Sequence, residues 1–356
     1  MMQAKLIRLF VICSIFSSTY AFTQIAKHGT VVEKQLTSTI LKDNRIDLNP
    51  QRNIKVYLPP NYNNSEKAYP VVYYLHSIFE TPEKALENNL IELIEKGISN
   101  EVVPEFIFVI ADYSSPTVGS LYENSSTSGR WLDFTIEELV PFIDNHFRTL
   151  QNKNSRAIAG DFMGGRGALK LAMVYPDVFS LVYALHPVAT GTGYLPINSI
   201  SIDWRKIHQA KSFDELEGQI RTQIFLAICQ AFLPNPNRPP FYCDFLMDIE
   251  EETLELNPIN VRREQAEFHL DETLDEFAEN LRNLRAIAFD WGRFDPTQAH
   301  VISNRRFSKK LADLGITHEG EEYTGKPWDE NWKENGRFYN RLLPFLARNL
   351  VFEDIQ

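Results

Sequence analysis

One stretch of the sequence decides the fold: Ala159-Gly160-Asp161-Phe162-Met163-Gly164-Gly165-Arg166-Gly167-Ala168-Leu169. The apolar run 157–159 predicts a strand, and apolar residues at helical spacing over 165–175 predict a helix. A strand that enters a helix through a tight turn of the form small-x-X-x-Gly is a nucleophile elbow, in which residue X carries the reactive side chain. Here X is Phe162, and a phenyl ring has no proton to lose and cannot form a covalent intermediate.

Outward from this turn, short apolar runs alternate with amphipathic stretches. Continuous apolar runs such as 70–76, 106–111 and 181–185 are typical of buried parallel strands. Thr81-Pro82-Glu83 predicts the start of a helix that continues to about Ile98, because it combines an N-cap, an N1 proline and an acid in the first turn. This alternation predicts an α/β fold, with a mostly parallel central sheet and helices on both faces.

One long segment interrupts the alternation. Residues 187–284 have helical patterning, with the capping box Ser212-x-x-Glu215 and the amphipathic run 274–284. We interpret the segment as a helical cap inserted between two strands of the sheet. In such sheets ligands bind at the carboxyl ends of the strands, so we expect the cap to shape the pocket. A stabilising decoration without a role in binding is the alternative.

The composition excludes some partners. The chain of 356 residues is 44% hydrophobic, enough for a sizeable core, and its formal net charge is −11. Binding to nucleic acid needs clustered Lys and Arg, and no run of five or more basic residues occurs. The eight histidines are scattered without a metal-binding motif, so we expect neither a structural metal nor a cofactor.

The N-terminus has the features of an export signal. Lys5 and Arg8 form a short positive region, the run from Leu6 to Phe16 is almost entirely apolar, and Thr19-Tyr20-Ala21 forms a small-x-small cleavage site. The run is too short to span a bilayer. We therefore expect residues 1–21 to be a signal peptide and the domain of residues 22–356 to be secreted or periplasmic. Export would leave Cys229 and Cys243 in an oxidising compartment, where they form either a disulfide or two free buried thiols.

Several motifs together resemble the esterase D family of α/β-hydrolases, which includes feruloyl and acetylxylan esterases and S-formylglutathione hydrolases. The resemblance covers most of the chain outside the segment 187–284. Its motifs are Val56-Tyr57-Leu58-Pro59-Pro60, Tyr69-Pro70-Val71-Val72-Tyr73-Tyr74-Leu75-His76, the elbow Gly160–Leu169, Tyr175-Pro176-Asp177-x-Phe179 and Phe289-Asp290-Trp291-Gly292-Arg293-Phe294-Asp295. The resemblance implies an α/β-hydrolase fold, with Asp295 as the acid of a Ser-His-Asp triad.

The sequence departs from the family at two triad positions. Phe162 replaces the serine, and the loop of residues 323–332, where the family has its histidine, contains none. The family's Leu-His-Gly segment reads Leu75-His76-Ser77, a milder change because a backbone N–H remains. Loss of a triad costs about 10⁶-fold in rate.

The candidate site residues follow from this comparison. The catalytic candidates are Asp295 and Asp161, since a carboxylate at this turn is the nearest substitute nucleophile. His186 and His300 could replace the missing base; each is otherwise a structural histidine. The candidates for ligand binding are His76, Ser77, Phe162, Met163, His186 and Trp328.

Two functions remain open from the sequence. The first is a non-catalytic esterase-like protein that binds a small molecule, a carbohydrate or a carbohydrate ester. The second is an active ester hydrolase or acyltransferase with a substituted site, using Asp161 or a serine from elsewhere, such as Ser77 or Ser114-Ser115. The sequence does not predict an oligomeric state.

Overall fold

The protein is built on an eight-stranded sheet. The computed structural model describes residues 28–192 and 202–353, apart from the side chain of Asp329, so the predicted signal peptide lies outside the described residues. The strands are β1 Thr30–Thr37, β2 Gln51–Leu58, β3 Val71–Leu75, β4 Ile107–Ala111, β5 Arg156–Asp161, β6 Leu181–Leu185, β7 Ala286–Gly292 and β8 Glu319–Tyr323.

The strand order is β1-β2-β4-β3-β5-β6-β7-β8. Strands β3 to β8 are parallel to one another, and β2 pairs antiparallel with both β1 and β4. The predicted parallel sheet is therefore confirmed. Because β5 lies centrally, the elbow that follows it opens at the middle of the carboxyl edge of the sheet.

Twelve α-helices are described: α1 Pro82–Leu86, α2 Leu90–Ser99, α3 Trp131–Asp133, α4 Val140–His146, α5 Met163–Val174, α6 Trp204–Gln209, α7 Ile220–Phe232, α8 Pro258–Phe268, α9 Leu274–Arg282, α10 Gln298–Asp313, α11 Pro327–Asn331 and α12 Leu343–Asn349. The π-helical segment Phe134–Leu139 joins α3 to α4, and a second one, Phe338–Leu342, precedes α12. No described helix is long and apolar enough to cross a membrane.

The central strands of the sheet are buried on both faces. Every residue of β3, β4, β5 and β6 is buried. Alternate residues of β3 join different apolar clusters: Tyr73 lies in one and Tyr74 in the other. This period of two is what an extended chain imposes, and it explains why these strands appear in the sequence as continuous apolar runs.

Two local predictions differ from the structure. The helix expected over 81–98 is divided into α1 and α2, because Asn89 adopts a left-handed conformation with φ 59°. Asparagine tolerates this conformation better than most residues do. The capping box Ser212-x-x-Glu215 begins no α-helix and instead overlaps the 3₁₀ turn Asp214–Leu216.

The segment 187–284 connects β6 to β7 and contains α6 to α9 and the hairpin Met247–Glu250/Thr253–Leu256. Part of it packs around an apolar cluster of its own that includes Trp204, Leu226 and Phe241. Cys229 and Cys243 lie in this cluster as free thiols, and burial raises the pKa of both. The function of this segment as a cap stays a prediction.

Candidate functional site

The turn after β5 has the backbone of a nucleophile elbow. Phe162 has φ 51° and ψ −116°, and α5 begins at the next residue, Met163. Glycines on either side are required, because a Cβ on Gly160 would lie 2.5 Å from the carbonyl carbon of Gly164, and a Cβ on Gly164 would lie 2.0 Å from the carbonyl oxygen of Leu75. Such a φ costs a non-glycine residue on the order of 1–3 kcal/mol. The chain therefore keeps the strained turn although the side chain it presents is not a nucleophile.

The ring of Phe162 is enclosed by other rings. It is 7% exposed and stacks on the indole of Trp328, with centroids 4.1 Å apart and planes 9° from parallel. His186 stacks on it at 5.1 Å, and His300 meets it edge-on at 5.9 Å. The side chain at the nucleophile position is thus part of an aromatic cluster.

Asp295 is the centre of a hydrogen-bond network beside this stack. Its Oδ2 accepts from His186 Nε2 at 2.7 Å and from His300 Nδ1 at 2.8 Å, and its Oδ1 accepts from the backbone N–H of Thr297 at 2.7 Å. Burial disfavours the carboxylate, but the hydrogen bonds outweigh burial and lower the pKa of Asp295. Asp295 is therefore an ionised acceptor at neutral pH, as the acid of a triad has to be.

The tautomer of His186 is fixed by the backbone. The N–H of Gly292 donates to His186 Nδ1 at 2.8 Å, so the proton of the neutral ring lies on Nε2 and points to Asp295. Burial lowers the pKa of His186, which favours this neutral form.

His186, Asp295 and His300 offer ligand atoms within 4.8 Å of one another, a spacing that would suit a metal ion. A neutral His186 cannot ligate through Nε2 while Nδ1 accepts from Gly292, because one ring nitrogen must carry the proton. The three side chains are better described as a hydrogen-bond network.

His300 is the most exposed of the three side chains in this network. Its side chain is 26% exposed, and its Nε2 has no partner among the hydrogen bonds of the described residues. It belongs to the first turn of α10, five residues after Asp295. Ser303 and Asn304 both donate to its backbone carbonyl, at 2.9 and 3.0 Å, and hold this turn in place.

Asp161 lies apart from this network. It is the last residue of β5, is 1% exposed, and accepts a hydrogen bond from the hydroxyl of Tyr74 at 2.8 Å. Tyr74 packs against Trp332 and Phe338. Burial raises the pKa of Asp161 well above its usual range. A buried carboxyl group that favours its protonated form is a poor nucleophile.

His76 and Ser77 follow β3 and form a second polar group. Both are buried; His76 Nε2 accepts from the N–H of Tyr113 at 3.1 Å, and the N–H of Ser77 donates to Glu80 at 3.0 Å. The hydroxyl of Tyr122 donates to the carbonyl of His76. Met163 is buried at the start of α5.

The structure thus brings Asp295, Phe162, His186 and Trp328 together with His300, and leaves Asp161 outside. Arg166, which the sequence did not single out, is fully buried one turn along α5. Its guanidinium lies 2.9 Å from Glu123 and donates to the carbonyls of Glu267 and Phe268 in the inserted segment. The sequence signal that could have identified Arg166 is a charged residue among the glycines at the start of the predicted helix.

A family model described as "Putative esterase" matches residues 47–341. The chain belongs to this family. Among curated proteins, an esterase of Mycobacterium tuberculosis is 32% identical over 136 residues, which cover 36% of this chain and 27% of the relative. A xylanase/feruloyl esterase of Xylanibacter ruminicola is 25% identical over 170 residues, or 45% of this chain and 22% of that protein. These matches span about a quarter of the relatives' length.

Solved esterase structures share the fold of this family member. A ferulic acid esterase has a TM-score of 0.59 at 20% identity, covering 91% of this chain and 99% of its own. An S-formylglutathione hydrolase from Agrobacterium tumefaciens has a TM-score of 0.57 at 17% identity, covering 92% and 98%. The ferulic acid esterase of Anaeromyces mucronatus in complex with ferulic acid has a TM-score of 0.52 at 18% identity, covering 90% and 93%. At these identities the likeness shows the fold alone.

Proposed function

We propose that this chain is a non-catalytic member of the esterase family, a binding or accessory protein for carbohydrates or carbohydrate esters outside the cytoplasm. The observation that carries the proposal is Phe162, which occupies the nucleophile position and is stacked beneath Trp328. The ring offers no nucleophile, and it also excludes a substrate carbonyl from the elbow.

The alternative nucleophile is poorly supported. Asp161 is buried, bonded to Tyr74 and favoured in its protonated form. An active hydrolase that used it would need the carboxyl group to ionise and to leave this contact. One observation favours catalysis by a general base: Asp295 and His300 form the hydrogen-bonded pair that such a base requires.

The exposure of Trp328 supports ligand binding. One face of its indole lies on Phe162, yet the residue is 56% exposed, so a large part of the side chain is open to solvent. Phe294, in the loop before Asp295, is 54% exposed. Large rigid aromatic side chains of this kind provide contact area for sugar rings and phenolic groups. The ferulic acid complex of a structural neighbour makes feruloylated sugars the first ligands to test.

The test is a titration of the purified chain with ferulic acid, a feruloylated arabinose and a xylo-oligosaccharide, followed by tryptophan fluorescence and calorimetry. We expect saturable binding of at least one probe, weakened about tenfold in Trp328→Ala, because loss of one stacked aromatic contact costs about 1.4 kcal/mol. Val31→Ala, an exposed apolar residue on the edge strand β1, is the control and should bind like the natural chain. Absence of binding by all three probes, or equal binding by Trp328→Ala, would contradict the proposal.

A further inference from the structure

We propose that His300 has taken the position of general base in this chain, so that the Asp295–His300 pair is an intact acid–base half of an esterase site and residue 162 alone withholds the nucleophile. This inference is independent of which ligand the protein binds. It assigns a latent ester-hydrolysing activity to the scaffold, and the role of general base in that latent activity to a histidine outside the loop of residues 323–332.

The contacts of His300 are those of an oriented base. A general base needs one ring nitrogen held by an acceptor and the other free to take a proton. Nδ1 of His300 donates to Asp295 at 2.8 Å, and Nε2 has no partner among the described hydrogen bonds. The ring lies edge-on to Phe162, with centroids 5.9 Å apart, so it adjoins the side chain that replaces the nucleophile.

The position of His300 is fixed by the turn that also fixes Asp295. Asp295 accepts from the N–H of Thr297 at 2.7 Å, and Gln298 donates to the carbonyl of Asp295 at 2.6 Å. His300 lies in the helical turn that follows. The acid and the base therefore come from one short segment, whereas Trp328, which stacks on Phe162, comes from α11 after β8.

His186 cannot be this base, although it contacts the same carboxylate. It is fully buried, and both of its ring nitrogens are used, one by Gly292 and the other by Asp295. Its proton points at the acid and away from any substrate. His186 is thus a positioning residue that holds Asp295 Oδ2 from the buried side while His300 approaches the same oxygen from the open side.

The latent reaction follows once a hydroxyl replaces the phenyl ring. In Phe162→Ser the serine Oγ would attack the ester carbonyl while His300 Nε2 takes its proton. The leaving alcohol would take that proton from His300 as the carbon–oxygen bond breaks. Water would then attack the acyl-serine, again giving its proton to His300, which returns it to the serine as the carboxylic acid leaves. The backbone at residue 162 already has the elbow conformation that this attack needs.

The experiment compares hydrolysis of p-nitrophenyl acetate by Phe162→Ser, Phe162→Ala and the double variants Phe162→Ser/His300→Gln and Phe162→Ser/His146→Gln. We expect Phe162→Ser to exceed Phe162→Ala by at least about 10²-fold, and His300→Gln to abolish that gain, since a general base contributes about 10²–10⁴-fold. His146→Gln is the matched control, because His146 is exposed at the end of α4 and bonds only to its own helix. A folded Phe162→Ser without activity, a gain that survives His300→Gln, or a gain that requires added zinc would overturn the proposal.

Loss of the ring could unfold the variant, because it leaves a cavity at a buried phenyl site. The natural chain therefore gives a second test. Imidazole ¹⁵N NMR, in a buffer alkaline enough to neutralise histidine, should show His300 protonated at Nδ1 and bare at Nε2, with His186 in the opposite tautomer. Asp295→Asn should remove the preference of His300. A proton on Nε2 of His300 in the natural chain would overturn the proposal whether or not Phe162→Ser folds.

Discussion

Asp161 and Phe162 are adjacent in sequence, but their environments differ. The carboxyl group of Asp161 is bonded to Tyr74 in a buried position, while the ring of Phe162 joins Trp328 at the carboxyl edge of the sheet. The residue that replaces the nucleophile is therefore not compensated by the acid beside it. The acid that matters to the site is Asp295, whose carboxylate is stabilised by hydrogen bonds to His186 and His300.

Replacing each of these two acids, Asp161 and Asp295, by asparagine should change the stability of the fold in opposite directions. Burial raises the pKa of Asp161 above its unfolded value of 3.8, so the folded chain loses stability as pH rises through the range between the two values. Asp161→Asn removes this loss and can still accept from Tyr74. We expect Asp161→Asn to have a higher Tm than the natural chain at neutral pH, with the difference shrinking as pH falls towards 3.8.

Asp295→Asn provides the contrast. The folded-state pKa of Asp295 is lowered, so its stabilising contribution is present at neutral pH and is lost only as pH falls below its unfolded value. This variant should be less stable than the natural chain at neutral pH. Thermal unfolding of both variants across the acid range measures the two signs, and a destabilised Asp161→Asn at neutral pH would refute the assignment of a protonated carboxyl group.

For single residues, the sequence predicts which side chains are candidates better than it predicts the contacts between them. Phe162 and Asp295 could be identified from the motifs, and in the structure both contact His186 and His300. That His186 and His300 share one carboxylate oxygen could not, because it depends on how β6 and α10 meet across β7. The backbone N–H of Gly292 selects the tautomer of His186, and such a backbone contact cannot be predicted from the types of residue in the sequence.

The elbow itself is an element whose sequence requirements are visible in the structure. A Cβ on Gly164 would lie 2.0 Å from the carbonyl oxygen of Leu75, a backbone atom that cannot turn away. A Cβ on Gly165, one residue further along α5, would have 3.2 Å to Gly160 and to Pro187. The close approach of α5 to β3 therefore depends more on Gly164 than on Gly165.

We predict that Gly164→Ala destabilises the fold by about 3 kcal/mol or more, because relief of the overlap must move α5 or β3. Gly165→Ala is the matched control and should change stability by about 1 kcal/mol or less, since alanine favours the helix while the contact is only tight. Urea unfolding of the two variants measures both changes. Equal loss in the two, or none in Gly164→Ala, would show that the turn is looser than the structure indicates.

Elements with a continuous apolar pattern were predictable, and those without it were not. The strand predicted over 181–185 coincides with β6, because burial on both faces leaves only apolar residues there. Strand β1 was missed: it is an edge strand of sequence TVVEKQLT with no buried residue. The break between α1 and α2 depends on one left-handed residue, Asn89, which the helical pattern does not reveal.

At the scale of the whole molecule, Arg166 connects the helix after the elbow to the inserted segment. The Arg166 guanidinium, buried in α5, reaches the carbonyls of Glu267 and Phe268 at the end of α8 and lies over the rings of Phe232 and Phe268. The segment 187–284 is therefore attached directly to the helix that begins at the elbow. Family membership and the α/β-hydrolase fold were implied by the resemblance. The attachment through Arg166 joins residues about 100 positions apart and could not be predicted from a local pattern.

The most direct test of the central claim is hydrolysis by the unaltered chain, with p-nitrophenyl acetate and a feruloyl ester as substrates and a fluorophosphonate probe for a reactive serine. We predict no covalent labelling and no turnover above that of buffer, because the elbow presents Phe162 and the nearest acid is buried. Turnover at an enzyme-like rate, about 1 s⁻¹ or faster, would contradict the account. If Asp161→Asn then abolished that turnover, a carboxylate nucleophile would replace the non-catalytic function proposed here.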